Sequence, residues 1–157
     1  MLDYRCTRDG HTYFFTLASH RRRPILCEPL VRAVLRDKLV ELRRHRPFHI
    51  DAWVLMPDHL HCVWTLPVND RDYSARWGWL KKEVTQTIRA HAPRRINHRK
   101  LWQNRYWEHR IKDNADLHAH YDYIHYSPVR HRLVDGPADW PWSTVHQFIA
   151  DGVYPVN

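Results

Sequence analysis

An α+β fold, built on an antiparallel sheet with helices packed on one face, is predicted for these 157 residues by three observations. β-forming runs and amphipathic helical stretches succeed one another in the order β α β β α β α. Hydrophobic residues make up 43% and aromatic residues 13% of the chain, an abundance that disordered chains lack. A chain of this length also buries enough surface to hold one core without staples, so residues 1–157 are read as a single domain.

The first strand is HTYFFTLAS, His11 to Ser19, rich in β-formers and ended by the turn from Arg21 to Pro24. Helix one follows, because Val31, Val34, Leu35, Leu39 and Leu42 recur at helical spacing while Arg32, Arg36, Asp37 and Lys38 fall between them. FHIDAWVLM, Phe48 to Met56, and LHCVWTL, Leu60 to Leu66, are strand-like runs joined by Pro57-Asp58, which together make a hairpin. Ser74 can cap helix two, whose face of Trp77, Leu80, Val84 and Ile88 runs until Pro93 stops it.

A basic connector, Arg94 to Lys100, leads into LWQNRYWEHRI, Leu101 to Ile111, within which a strand is expected. Asn114 can cap helix three, which should end near Ser127 because Pro128 disfavours helical geometry in the residue before it. A last helical piece lies around Ser143 to Ala150. This order fits the ferredoxin-like arrangement, a four-stranded antiparallel sheet with two helices on one face, leaving the other face open.

Lys and Arg number 25 against 17 Asp and Glu, giving a charge of +8 and a pI near 9.7, which suits a polyanionic partner. Trp residues interleaved with Arg and Lys narrow that partner to single-stranded or locally melted nucleic acid, since flat rings stack on unpaired bases. Cys6, Cys27 and Cys62 match neither a zinc knuckle nor a disulfide framework, which suits a reducing cytoplasm. Residues 1–10 lack a signal-peptide apolar run, and no stretch approaches the ~20 apolar residues of a membrane span. No P-loop and no His-Glu-x-x-His occur, which argues against nucleotide hydrolysis and zinc proteolysis.

Chemistry concentrates at two places. His59-Leu60-His61 starts a strand, and period-two alternation projects both imidazoles to one face, where they either grip one ion or sit as satisfied histidines, while Leu60 enters the core. Tyr123 lies off the apolar stripe of Leu117, Tyr121 and Ile124, on a polar flank shared with Asp116, His120 and Ser127. There it either covers surface or lines a site.

The strings WVLMPDHLHCVW (Trp53 to Trp64), RYWEHRI (Arg105 to Ile111), HYDYIHYSPVRH (His120 to His131) and DWPWSTVHQF (Asp139 to Phe148) resemble, in order and spacing, the REP-associated tyrosine transposases of the HUH endonuclease superfamily. The resemblance covers nearly the whole chain. It implies a ferredoxin-like or RRM-like sheet with an extra catalytic helix, and a metal-dependent single-strand DNA endonuclease and transesterase. The family's metal-binding His-x-His falls on His59 and His61, and its catalytic tyrosine, which opens a Tyr-Ile-x-x-Asn-Pro string, falls on Tyr123. Ser127 stands where the family has Asn. A hydroxyl is a shorter and poorer donor, so the third ligand is left open among Ser127, water, His120 and Asp116.

By the same resemblance Tyr123 forms a 5′-phosphotyrosine link at a palindromic repeat hairpin, with Mg²⁺ or Mn²⁺ as the cofactor. The protein would act as a monomer in the cytoplasm of a prokaryote, at the nucleoid. Arg21, Arg22, Arg23, Lys81, Lys82, Arg94, Arg95, Arg99 and Lys100 are the candidates for phosphate contacts. Trp102, Tyr106 and Trp107 are candidates for base stacking, and Glu108, His109 and His120 for supporting the site. Two alternatives stand beside this reading: a non-catalytic nucleic-acid-binding module of the same fold, and a domesticated relative that cuts without mobilising itself.

Overall fold

In the computed structural model, which describes residues 11–93 and 100–154, one four-stranded antiparallel sheet organises the molecule. Strands β1 (Thr12–Ala18), β2 (His49–Leu55), β3 (His59–Thr65) and β4 (Trp107–Arg110) lie in the order β2-β3-β1-β4, as the ferredoxin-like reading requires. Helices α1 (Pro29–His45) and α2 (Tyr73–His91) pack on one face, where Phe15, Leu17, Leu60 and Trp64 meet Leu35, Leu42, Leu80 and Val84. Trp64 stacks on Trp77 of α2 with ring centroids 3.9 Å apart.

The second face is not open, which corrects the expectation from the sequence. Helix α3 (Asn114–Arg130) and the short α4 (Val145–Ala150) cover part of it, with Leu117, Tyr121, Ile124 and Phe148 against Phe14, Ala52, Val54 and Val63. The near-continuous apolar runs YFFTLA and LHCVW have this physical meaning: strands covered on both faces bury every second residue into each of two cores. The C-terminal third of β1 and the start of β3 are left at the edge of that cover.

Three helix boundaries also differ from expectation. Asp72, not Ser74, caps α2, its carboxylate accepting from the Ala75 N–H at 2.9 Å. Asp113, not Asn114, caps α3 by accepting from the Asp116 N–H at 2.8 Å. In both places a carboxylate sits one or two residues earlier, where its charge also favours the positive end of the helix. Helix α3 runs past Ser127 and through Pro128 to Arg130. Pro128 forfeits one backbone bond, but Ile124, His125, Ser127 and Pro128 are all buried, and that packing outweighs the loss.

His125 ties α3 to the C-terminal segment. It is fully buried, with Nε2 2.7 Å from the Thr144 hydroxyl, which itself donates to the Trp53 carbonyl, and with Nδ1 2.9 Å from the Tyr154 hydroxyl. The Tyr154 hydroxyl donates to Asp122 at 3.1 Å, and burial holds the ring neutral.

Candidate active site

Where the cover of α3 thins, β1, β3, β4 and α3 enclose a cleft of about 630 Å³. Register explains who enters it. Thr16 pairs with His61 on one side and with Trp107 on the other, while Phe14 pairs with Val63 and His109, so these side chains share the α3 face. Leu60, one residue out of phase, is fully buried in the opposite core. Glu108 pairs with Phe15 and therefore leaves the cleft for the other face, where it borders Tyr73.

His59 and His61 stand together in the cleft, ring centroids 4.7 Å apart. His59 Nδ1–H donates to Asp58 at 2.6 Å, and Asp58 is met in turn by Arg22 at 3.4 Å, so Nε2 of His59 is left for another partner. His61 Nδ1 meets the Thr16 hydroxyl at 2.7 Å, and its buried Nε2 has no hydrogen-bond partner among the described residues. Burial pushes His61 down to about 2, with His59 and Arg130 adding to the effect. Burial also lowers His59, against the opposing pull of Asp58. Both rings are thus neutral nitrogen donors at physiological pH, and a carboxylate orients one of them as metal-binding histidines require.

Arg22 reaches Asp58 from a left-handed turn in which Arg21 and Arg22 have φ of 56° and 55°. For residues with a Cβ that conformation costs on the order of 1–2 kcal/mol each. Arg21 is exposed, whereas Arg23 donates to the Lys100 carbonyl at 3.1 Å.

Tyr123 projects from α3 into the same cleft and is 45% exposed. Its ring meets His61 edge-on at 5.2 Å, and the Arg130 guanidinium lies over it at 4.0 Å while donating to the Tyr123 carbonyl. Of its predicted flank, His120 lines the cleft, while Asp116 bonds to His109 and His120. Ser127 is fully buried, its hydroxyl without a partner among the described residues, and it does not line the cleft.

Phe14, Thr16, Asp58, Arg130 and His131, the last with its ring 5.2 Å from His59, complete the surroundings and escaped the reading of the sequence. Alternation from Phe14 could have found Thr16. Arg130 and His131 were lost by ending helix three at Ser127.

A second, basic groove of about 270 Å³ lies along α2, where Lys81, Lys82, Arg89 and Lys100 border Trp102 and Gln103. Lys81 is spent on the Gln103 carbonyl at 2.9 Å, while Lys82 is exposed. Arg94, Arg95 and Arg99 lie outside the described residues. Among the aromatic candidates, Trp102 is core, Tyr106 packs edge-on against Phe15, and Trp107 is 66% exposed in the cleft.

The buried histidines predict acid lability. Burial, with His146 nearby, pushes His125 down to about 3, and His61 lies near 2, against an unfolded value of ~6.5. With folded values depressed, the unfolded chain binds the extra protons, so stability is whole above pH ~6.5 and is lost as pH falls toward the folded values. Between pH 7 and 5 each ring should cost about 2 kcal/mol. Urea unfolding at the two pH values checks this, and His125→Gln should remove about half of the difference.

The family described as "Transposase IS200 like" matches residues 7–127. The chain is 42% identical over 148 residues to the REP-associated tyrosine transposase of Escherichia coli K12, covering 94% of this chain and 84% of that protein. A solved structure of a REP-associated tyrosine transposase bound to a REP hairpin superposes with a TM-score of 0.82 at 40% identity, covering 99% of this chain and 89% of the other. A protein of Deinococcus radiodurans R1 shares the fold at 18% identity, with a TM-score of 0.54 over 78% of this chain and 90% of that one. No helix among the described residues is long and apolar enough to cross a membrane.

Proposed function

This chain belongs to the IS200-like transposase family, and on that premise we propose that it cuts and rejoins single-stranded DNA beside repeat hairpins, with Tyr123 as the nucleophile. The observation that carries the reading is the placement of an exposed Tyr123 against His61 of the His59/His61 pair in one cleft. In cleavage the Tyr123 phenol loses its proton and its oxygen attacks phosphorus. The bond from phosphorus to the 3′-oxygen breaks, that oxygen takes up a proton, and a 5′-phosphotyrosine remains. The reverse attack by a 3′-hydroxyl rejoins the strand with no ATP.

His59 and His61 would hold the divalent ion, and their neutral nitrogens suit Mn²⁺ better than Mg²⁺, which prefers oxygen. When bound, such an ion supplies charge stabilisation at the scissile phosphate. Arg130, over the Tyr123 ring and bonded to its carbonyl, holds the tyrosine toward the cleft. Trp107 offers an exposed ring for an unpaired base. The cleft is assembled from the strands and helix of one chain, which supports action as a monomer.

The test is incubation with Mn²⁺ and a labelled oligonucleotide carrying a flanking hairpin. A metal-dependent covalent protein-DNA band is expected. Binding without cleavage in either Mn²⁺ or Mg²⁺ would instead favour the binding-module reading.

Ser127 is buried outside the cleft lining and is not placed to be the third ligand. Because its hydroxyl is buried without a partner among the described residues, Ser127→Ala should leave Mn²⁺ affinity within about twofold and hold or raise stability by up to about 1 kcal/mol. A tenfold loss of affinity by calorimetry would make Ser127 a ligand.

The basic groove along α2 is a surface for hairpin phosphates. Lys82→Ala combined with Lys100→Ala should weaken hairpin binding and reduce the slope of log K against log salt by about 1.5–2, the share of two phosphate contacts. An unchanged slope places the hairpin elsewhere.

A further inference from the structure

Outside the His59/His61 pair, β4 and α3 bring a second group of metal-ligating side chains together. His109 Nε2 lies 2.8 Å from Asp116 Oδ2, and His120 Nδ1 lies 3.1 Å from Asp116 Oδ1. The ligating atoms of His109, Asp116 and His120 all fall within 4.8 Å of one another. The two imidazoles stack, with centroids 4.8 Å apart and planes 19° from parallel.

The geometry points to a second cation site at His109, Asp116 and His120, of the class that takes Zn²⁺ or Co²⁺. Two nitrogens and one carboxylate oxygen form a set that borderline transition metals favour and Mg²⁺ does not. Metal-ligand bonds of about 2.0–2.1 Å put tetrahedral ligands ~3.3 Å apart, so the two nitrogen-to-oxygen spacings, which run to different oxygens of Asp116, would open by a few tenths of an ångström, while the widest pair of ligating atoms, within 4.8 Å, would close by up to about 1.5 Å through side-chain rotation. The side chains are 27%, 19% and 24% exposed, which lets an ion enter from solvent and leaves room for water as a fourth ligand. Asp116 is ready as an anion. Burial pushes its carboxyl up, but the Lys112 N–H and the His109 ring outweigh that and hold it below its ordinary value.

This site cannot share the ion of the first. Strand β1 lies between β3, which carries His61, and β4, which carries His109. Two strand spacings of about 4.8 Å therefore put roughly 10 Å between the two groups. The Phe14 ring occupies the interval, 5.7 Å from His61 and 4.7 Å from His120.

Binding requires no net oxidation and no co-reactant. His109 Nε2 and His120 Nδ1 now face acceptors and carry their ring protons. On ligation each ring moves that proton to its other nitrogen through solvent, stays neutral, and trades an N–H···O bond for a bond to the ion.

Cobalt and zinc are the probes. The full chain carrying His59→Ala and His61→Ala should bind one Co²⁺, read as ligand-field absorption of a four-coordinate nitrogen and oxygen site and displaced by Zn²⁺. Adding His109→Gln, which keeps an amide donor for Asp116, should cost at least tenfold in affinity. Absent binding in the double variant, or binding that His109→Gln leaves untouched, overturns the site. In the unmutated chain more than two equivalents of diamagnetic Zn²⁺, enough to fill the His59/His61 pair as well, should shift the His109 and His120 ring resonances, which a diamagnetic ion bound about 10 Å away leaves in place. Unmoved resonances overturn it equally, without reliance on any variant folding.

Discussion

Tyr123→Phe should abolish the covalent protein-DNA band and lower cleavage by at least ~10³-fold, with hairpin affinity changed by less than about threefold. The expectation follows from how little else the hydroxyl does. Nearly half of the Tyr123 residue surface is exposed, the Tyr123 ring is held by Phe14, His61 and Arg130 through its faces and edge, and the hydroxyl has no hydrogen bond among the described residues. Removing the oxygen leaves those ring contacts intact, so the melting temperature should move by no more than a degree or two. A gel shift, a denaturing gel and a thermal melt on one preparation separate the three effects. Residual covalent adduct would require another nucleophile, and Tyr126, exposed on the same helix, is the next candidate to replace.

Most of this was open to view in the sequence because it rests on short-range rules. The period-two relation of His59 to His61, the core face of Trp77, Leu80, Val84 and Ile88, and the order of elements all hold in the structure. The errors arose where a local preference met a tertiary one. Pro128 reads as a helix stop, yet the buried face of α3 carries the helix two residues further and brings Arg130 over Tyr123. The apolar runs of β1 and β3 show burial, but only register shows that Phe14 and Val63 face a second layer of helices. Asp116 and His120 were seen as neighbours of Tyr123 along one helix, whereas their pairing with His109 depends on β4 joining the edge of β1. That joining is a long-range event with no periodic signature.

His59→Ala and His61→Ala should each lower metal-dependent cleavage by about 10³-fold or more, and added Mn²⁺ should not restore it, because a nitrogen donor itself is gone. Asp58→Ala provides the contrast. Among the described residues the Asp58 carboxylate bonds to His59 and pairs with Arg22, and it fixes His59 with Nδ1 protonated and Nε2 available. Without it the ring can flip or tautomerise, but the ligand remains, so apparent Mn²⁺ affinity should fall 10- to 100-fold, about the usual loss for such an orienting carboxylate. Cleavage by Asp58→Ala should therefore recover at high Mn²⁺ while His59→Ala stays inactive. Metal titrations of cleavage rate on a fixed hairpin substrate decide the point: equal failure to recover in both variants would mean that Asp58 acts on the DNA or on Arg22 rather than through His59.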